Sequence, residues 1–373
     1  MVPVPPSASL GVNLISLTSA RLSGVGQYSV KLFETILDLV AEQSVNLSVV
    51  GFVMPEARSH FSDRAQRQLF DVSPGSGRVR RVIFDHTRFP LIIRRARLDV
   101  LINPAFTGPL WGAKRHVPVI HDLYFRVVPE LLEWRQQKYL AAIVPANLRL
   151  AWRVITDSHS SATDIGKFYP SAADRTRVVH LAGRFDSAPS TPPASVSGAQ
   201  PYALMVSSMT ANKDPATAIA AVAHMRAQGH DFHLKHIGAD PTGVWANAVR
   251  KADGSKFCHA LGPVDDTRML AEMAGATCLV VPSVYEGFGL PVLEGQQLGA
   301  PVVCSNASSL PEVGGDGALY FDAGDAATCA NHMTCLLVDP AFRRTVTEKG
   351  HANAARFTWR ETAMQTLRNL DLV

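Results

Sequence analysis

Short apolar runs bounded by turn residues alternate along the chain with longer segments of helical periodicity. Strands are predicted over 47–53 (LSVVGFV), 100–103, 117–120 and 154–156, and helices over 28–42 and 133–152. In the first of these helices Val30, Phe33, Leu37 and Val40 recur at three- and four-residue spacing, which makes one apolar stripe. After residue 200 the pattern restarts, with strands over 202–206, 233–237, 277–281 and 302–305 and helices over 215–228, 269–274 and 290–298. Regular alternation of this kind predicts parallel sheets covered by crossover helices. Residues 186–200 (DSAPSTPPASVSGAQ) interrupt it; they are rich in Ser, Pro, Ala and Gly with a single charge, the composition of an extended linker. The expected fold class is α/β, two Rossmann-like units joined by that linker.

Composition narrows the function classes. The chain has 373 residues, 47% hydrophobic and 18% charged, enough apolar material for two packed cores and far from the signature of disorder. Lys and Arg (36) exceed Asp and Glu (32), for a net charge of +4. That mild surplus suits anionic small molecules or an acidic membrane surface and does not call for nucleic acid. The five cysteines are odd in number, fall after residue 257 and form no C-x-x-C pair, so reduced thiols are expected and no zinc site. The N-terminal residues lack the basic region and apolar run of a signal peptide, and no stretch of roughly 18 apolar residues runs unbroken. The expected location is cytoplasmic.

The densest chemistry lies in 279–294, LVVPSVYEGFGLPVLE. An apolar strand ends at Pro282, a loop carries Glu286, Gly287, Phe288 and Gly289, and Pro291 stands where a first helical position is expected. The backbone N–H groups of Gly289 and Leu290 then form a helix N-terminus, a natural seat for a phosphate. Glu286 lies at a strand's carboxyl end, where open α/β sheets bind ligands, and Glu294 sits one turn into the helix, placed to accept from sugar hydroxyls. Taken as an isolated pair, two such glutamates read more readily as a loop charge and a first-turn dipole partner. The string YEGFGLPVLEGQQLGAPVVCSNASSLPEVGGDGALYFDAGD changes that reading, because it resembles the signature of glycosyltransferase family 4, with Glu286 and Glu294 at its E-x7-E spacing. The resemblance reaches both ends of the chain and is looser toward the N-terminus.

What the resemblance implies is a retaining, metal-independent enzyme of GT-B fold, two Rossmann-like domains facing a cleft. It divides the chain into an acceptor domain over 1–185, the linker 186–200, a nucleotide-sugar donor domain over 201–355 and a C-terminal helix, 356–373, that crosses back to the first domain. Lys213, in LMVSSMTANKDP, matches the basic residue that meets the donor diphosphate. Ser208 and Asn212 fall in the same donor loop, where relatives often carry an Arg at the position of Asn212; a second cation would have to come from elsewhere. His121, at the end of a strand in VPVIHDLYF, matches a histidine that faces the transferred sugar, although a His-Asp pair standing alone is more often a packing and capping unit. Gly24 and Gly26, in LSGVGQY, match the N-terminal glycine loop near donor phosphate and acceptor; Ser29 replaces the third glycine of a nicotinamide fingerprint. Val264 matches the residue whose backbone meets the nucleotide base, and Phe288, Gly289 and Leu290 complete the donor set. With no Asp-x-Asp pair in the chain, no metal and no cofactor beyond the nucleotide-sugar co-substrate are expected.

Seven arginines fall within 78–97, among them Arg78, Arg80, Arg81, Arg94, Arg95 and Arg97, interleaved with Ile, Phe and Leu. A basic amphipathic stretch reads either as a surface for anionic lipid, which would place the protein on the inner face of the cytoplasmic membrane, or as a solvated helix face. The resemblance implies a nucleotide-diphosphate sugar as donor, with GDP-mannose favoured, and a lipid-linked glycan as acceptor. UDP-glucose, UDP-N-acetylhexosamine and dTDP-rhamnose are the alternative donors. The rivals are a GT-B epimerase or phosphorylase, a nicotinamide oxidoreductase, and a catalytically silent binding partner in polysaccharide assembly.

Overall fold

The computed structural model describes residues 8–17, 22–75, 77–129, 134–185 and 200–373. They form two units: residues to Leu181 with Trp359–Val373, and Ala182–Thr358. Most of the sequence-defined linker, 186–199, lies outside the described residues, whereas 182–185 pack with the second unit.

The first unit holds seven parallel strands: β1 (Ala8–Asn13), β2 (Leu47–Val53), β3 (Leu69–Asp71), β4 (Val100–Asn103), β5 (Arg115–Ile120), β6 (Val154–Thr156) and β7 (Thr176–Val178), in the order β3-β2-β1-β4-β5-β6-β7. The second holds six: β8 (Tyr202–Val206), β9 (His233–Ile237), β10 (Cys258–Gly262), β11 (Cys278–Val281), β12 (Val302–Ser305) and β13 (Ala318–Phe321), in the order β10-β9-β8-β11-β12-β13. Both sheets therefore reverse direction of growth once, between β1 and β4 and between β8 and β11. A crevice opens outside the strands' carboxyl ends at such a point, which is where ligands bind in open α/β sheets. Central strands β4, β11 and β12 are buried along their whole length, which is why they read as unbroken apolar runs.

Local sequence explains most element ends. The first helix spans Gly24–Ala41, starting four residues before the expected 28, because Ser23 caps it by accepting from the Gly26 N–H. Gly24 and Gly26 thus lie in the first helical turn and not in a free loop. The segment 133–152 becomes the helix Trp134–Leu150. Asp214 and Asp265 cap Pro215–Ala227 and Asp266–Gly275 in the same manner. The last helix, Trp359–Asn369, packs on Gly24–Ala41 within the first unit: the Trp359 and Tyr28 rings stand 6.2 Å apart, and Arg360 pairs with Glu42 at 2.6 Å.

The arginine-rich stretch is two helices, Arg78–His86 and Arg88–Ala96, broken at Thr87. Phe84, Phe89 and Ile93 anchor them in the core, while Ile83 (56% exposed) and Leu91 (47%) face outward. Arg80, Arg88, Arg94, Arg95 and Arg97 are exposed and make no ion pair among the described residues; the Arg78 side chain lies outside them. None of the described helices is long and apolar enough to cross a membrane. The five cysteines are free thiols, and burial pushes Cys258 and Cys278 up to about 12.

Candidate active site

The switch point between β8 and β11 gathers the site. The chain leaving β8 runs through Ser207 and Ser208 to a 3-10 turn, Ala211–Lys213; the chain leaving β11 runs through Ser283 to Glu286. The Lys213 Nζ donates to Glu286 Oε1 at 2.6 Å, and the Ser283 hydroxyl donates to the same oxygen at 2.7 Å. Both charged groups are mostly enclosed, at 19% and 11% exposure. Lys213 and Glu286, 73 residues apart in sequence, are thereby one unit.

Two devices hold that unit in place. Asn212 bridges the loops: its Nδ2 donates to Tyr285 O at 3.0 Å, its backbone carbonyl accepts from Val284 N at 2.8 Å, and its Oδ1 accepts from the Thr210 hydroxyl at 2.6 Å. The residue placed in the donor set by resemblance is thus committed to staple one loop to the other. Ser308 and Ser309, after β12, clamp the Glu286 backbone. Ser308 Oγ accepts from Glu286 N at 2.8 Å and donates to its carbonyl, and Ser309 Oγ reaches the carbonyls of Glu286 and Phe288 at 2.9 Å. Ser308 holds a left-handed φ of 48°, strain tolerated where the surroundings over-determine the conformation.

Past Glu286, Phe288 is buried against Phe357 with ring centroids 6.0 Å apart, a packing role. Gly289 caps the helix Leu290–Gln297 with φ 102°, and a Cβ there would meet Leu310 Cδ2 at 2.7 Å, so only glycine fits the turn. The helix begins at Leu290, where the 290–298 segment predicts it, and Pro291 is its second residue and not its first. Glu294 lies one turn in, 3% exposed, with both carboxylate oxygens held by Arg184: Nε to Oε1 and Nη2 to Oε2, each 2.8 Å. Ser208 is exposed at the end of β8, and Val264 is buried just beyond β10.

His121, Gly24 and Gly26 belong to the first unit. His121 follows β5 and is buried; Nδ1 meets Asp157 Oδ2 at 2.6 Å and Nε2 meets the Pro104 carbonyl at 2.7 Å. Burial favours the neutral ring, but the Asp157 carboxylate outweighs it, and the His121 pKa stands above its ordinary value. Both ring nitrogens face oxygen acceptors, so the protonated ring donates on both sides. With both nitrogens committed, it offers charge to its surroundings and no spare donor for a sugar hydroxyl.

Sequence reasoning missed Ser283, Ser308, Ser309, Asp157 and Arg184. Asp157 carried a signal, an acid directly after an apolar strand. The serines and Arg184 carried none, since their roles depend on segments distant in sequence.

Residues 200–339 match the family model described as "Glycosyl transferases group 1". Across the whole chain the sequence is 28% identical to the O-antigen chain mannosyltransferase B of Escherichia coli, an alignment covering 93% of this chain and 95% of that protein. Among solved structures, HepE of Anabaena in complex with UDP-glucose superposes with a TM-score of 0.72 at 15% identity, covering 98% of this chain and 100% of that one. WaaG, a glycosyltransferase involved in lipopolysaccharide biosynthesis, superposes with a TM-score of 0.71 at 15% identity, covering 96% of this chain and 98% of that one. The fold is GT-B, and residues 200–339 resemble the group 1 glycosyltransferases.

Proposed function

We propose that the protein transfers mannose from GDP-mannose, with retention of configuration, to a lipid-linked glycan destined for a surface polysaccharide. The observation that carries the reading is the Lys213–Glu286–Ser283 cluster at the β8/β11 switch point, beside the glycine-capped helix that ends its first turn at Glu294. Mannose and the polysaccharide acceptor are suggested by the whole-length relative in Escherichia coli.

In this reaction the bond between the sugar's C1 and the donor's β-phosphate oxygen breaks, and a bond from C1 to the acceptor oxygen forms on the same face. The acceptor proton passes to a phosphate oxygen of the departing nucleoside diphosphate. Lys213 neutralises charge developing on that diphosphate, and the N–H groups at Gly289 and Leu290 add a dipole of the same sign. These groups supply the electrostatics with no metal required. Glu286, oriented by Ser283, holds hydroxyls of the donor sugar, and Glu294 holds the ribose. His121 contributes a fixed positive charge at the strand ends of the first unit.

The exposed arginines of the helices Arg78–His86 and Arg88–Ala96, with Ile83 and Leu91 between them, form a cytoplasmic membrane-facing surface that brings the enzyme to a lipid-linked acceptor. The test is incubation with GDP-mannose and a polyprenyl-diphosphate oligosaccharide, followed by mass spectrometry and NMR of the product. Gain of one hexose in an α linkage, slowed by about 10²–10³ in Lys213→Met, is expected. Transfer from a UDP- or dTDP-sugar alone would refute the donor assignment, and no transfer from any donor would refute the reaction.

A further inference from the structure

The Glu294 carboxylate is not waiting free for a ligand. Arg184 grips it through a two-pronged fork, both contacts at 2.8 Å, from a segment 110 residues earlier in sequence. Three further features place Arg184 there deliberately. Gly183, the residue before it, lies so close to Gln297 that a Cβ would meet Oε1 at 2.2 Å. The residue after it, Phe185, donates its N–H to the same Gln297 oxygen at 3.3 Å. Glu294 and Gln297, three apart, share one face of the helix Leu290–Gln297, so that face carries the strap 183–185.

The fork has a chemical consequence. A carboxylate offers about four acceptor positions, and Arg184 fills two of them from one edge. A guanidinium held bidentately fixes the carboxylate plane as well as its charge, which a lysine ammonium does not do. The two remaining acceptor positions are then fixed in direction. We infer that Arg184 is a positioning residue of the donor site, fixing Glu294 so that its unfilled acceptor positions read the vicinal hydroxyls of the nucleotide ribose. This rests on the reading that Glu294 binds the ribose. Arg184 also balances a buried negative charge that would otherwise face the donor diphosphate.

The test titrates GDP and 2′-deoxy-GDP, and UDP and 2′-deoxy-UDP, calorimetrically into the full chain. Wild type is expected to favour the better ribonucleotide over its deoxy form by about tenfold, equivalent to about 1.4 kcal/mol. Glu294→Gln and Arg184→Met should both reduce that preference to less than about threefold. Arg184→Lys, which keeps the charge and loses the fork, should behave like Arg184→Met; it decides the matter should Arg184→Met fail to fold. A merely structural arginine would leave the ribose preference untouched. The inference is overturned if Glu294→Gln loses the preference while Arg184→Lys keeps it in full. A wild type that ignores the 2′-hydroxyl, or binds none of the four nucleotides, overturns the ribose reading and the Arg184 role with it.

Discussion

Removing Lys213 tests whether Lys213 and Glu286 act as one unit. At 2.6 Å and an effective dielectric near 20, their attraction is roughly 6 kcal/mol before desolvation. Withdrawing both ions from water offsets most of it, so the pair's net contribution to stability is small. What Lys213→Met exposes is the other side of that balance. Glu286, 11% exposed, is left with the Ser283 hydroxyl in place of its cationic partner, and we expect a loss of about 2–3 kcal/mol. In a unit of this size that lowers Tm by roughly 4–12 °C. Glu286→Gln should cost less, about 1 kcal/mol, because the Lys213 ammonium lies nearer to water. The double variant should recover to within about 1 kcal/mol of wild type, since it leaves no unpaired charge. Turnover should behave differently, falling by about 10²–10³ in each single variant and little further in the double. The assay is a double-mutant cycle read by thermal unfolding and by nucleotide release. Additive stability losses, or turnover in Lys213→Met close to wild type, would refute the coupling.

Glu294→Gln should raise the donor KM at least tenfold with a smaller change in kcat; an unchanged KM would remove the ribose role. Gly289→Ala, with its strained φ and its clash with Leu310, should cost about 2 kcal/mol and weaken nucleotide binding, measured by unfolding and calorimetry. The raised His121 pKa contributes stability that is complete below pH 6.5 and lost as pH rises through the folded value. The Tm difference between wild type and Asp157→Asn should therefore be largest near pH 6 and shrink on the alkaline side; a difference that grows with pH would contradict the imidazolium. Vesicles containing anionic lipid should bind the protein, with release at high salt, at about 1 kcal/mol per arginine near the surface. Arg94→Glu with Arg95→Glu should abolish that binding, and equal binding to neutral vesicles would refute the membrane surface.

The fold was legible because its strands are central and buried. The segments 47–53, 100–103, 154–156, 202–206, 233–237 and 302–305 are strands over those very residues, and all but 233–237 (HLKHI) are the apolar runs that a parallel sheet requires. β10 escaped notice because it is an edge strand whose His259 and Ala260 are exposed, leaving no apolar run to see. Gly24 and Gly26 read as a loop because glycine is a poor helix former; the Ser23 cap and tertiary packing overrode that propensity. In the site, the spacing of Glu286 and Glu294 was visible because one loop and one helical turn contain both. Arg184 was invisible for the opposite reason, since only the closed fold brings it to Glu294. Asn212 looked like a weakened phosphate contact and proves to be the staple between two loops, a role that only its three hydrogen bonds disclose.

The central claim is that the second unit binds a nucleotide-diphosphate sugar through Lys213, Glu286 and Glu294 without metal. The direct measurement is saturation-transfer NMR of the purified chain with GDP-mannose, UDP-glucose, UDP-N-acetylglucosamine and dTDP-rhamnose, each in the presence of a chelator. The account predicts transfer to the ribose and mannose protons of GDP-mannose, lost in Lys213→Met and in Glu294→Gln. Silence from all four donors with a folded protein, or a response that survives both substitutions, would contradict it.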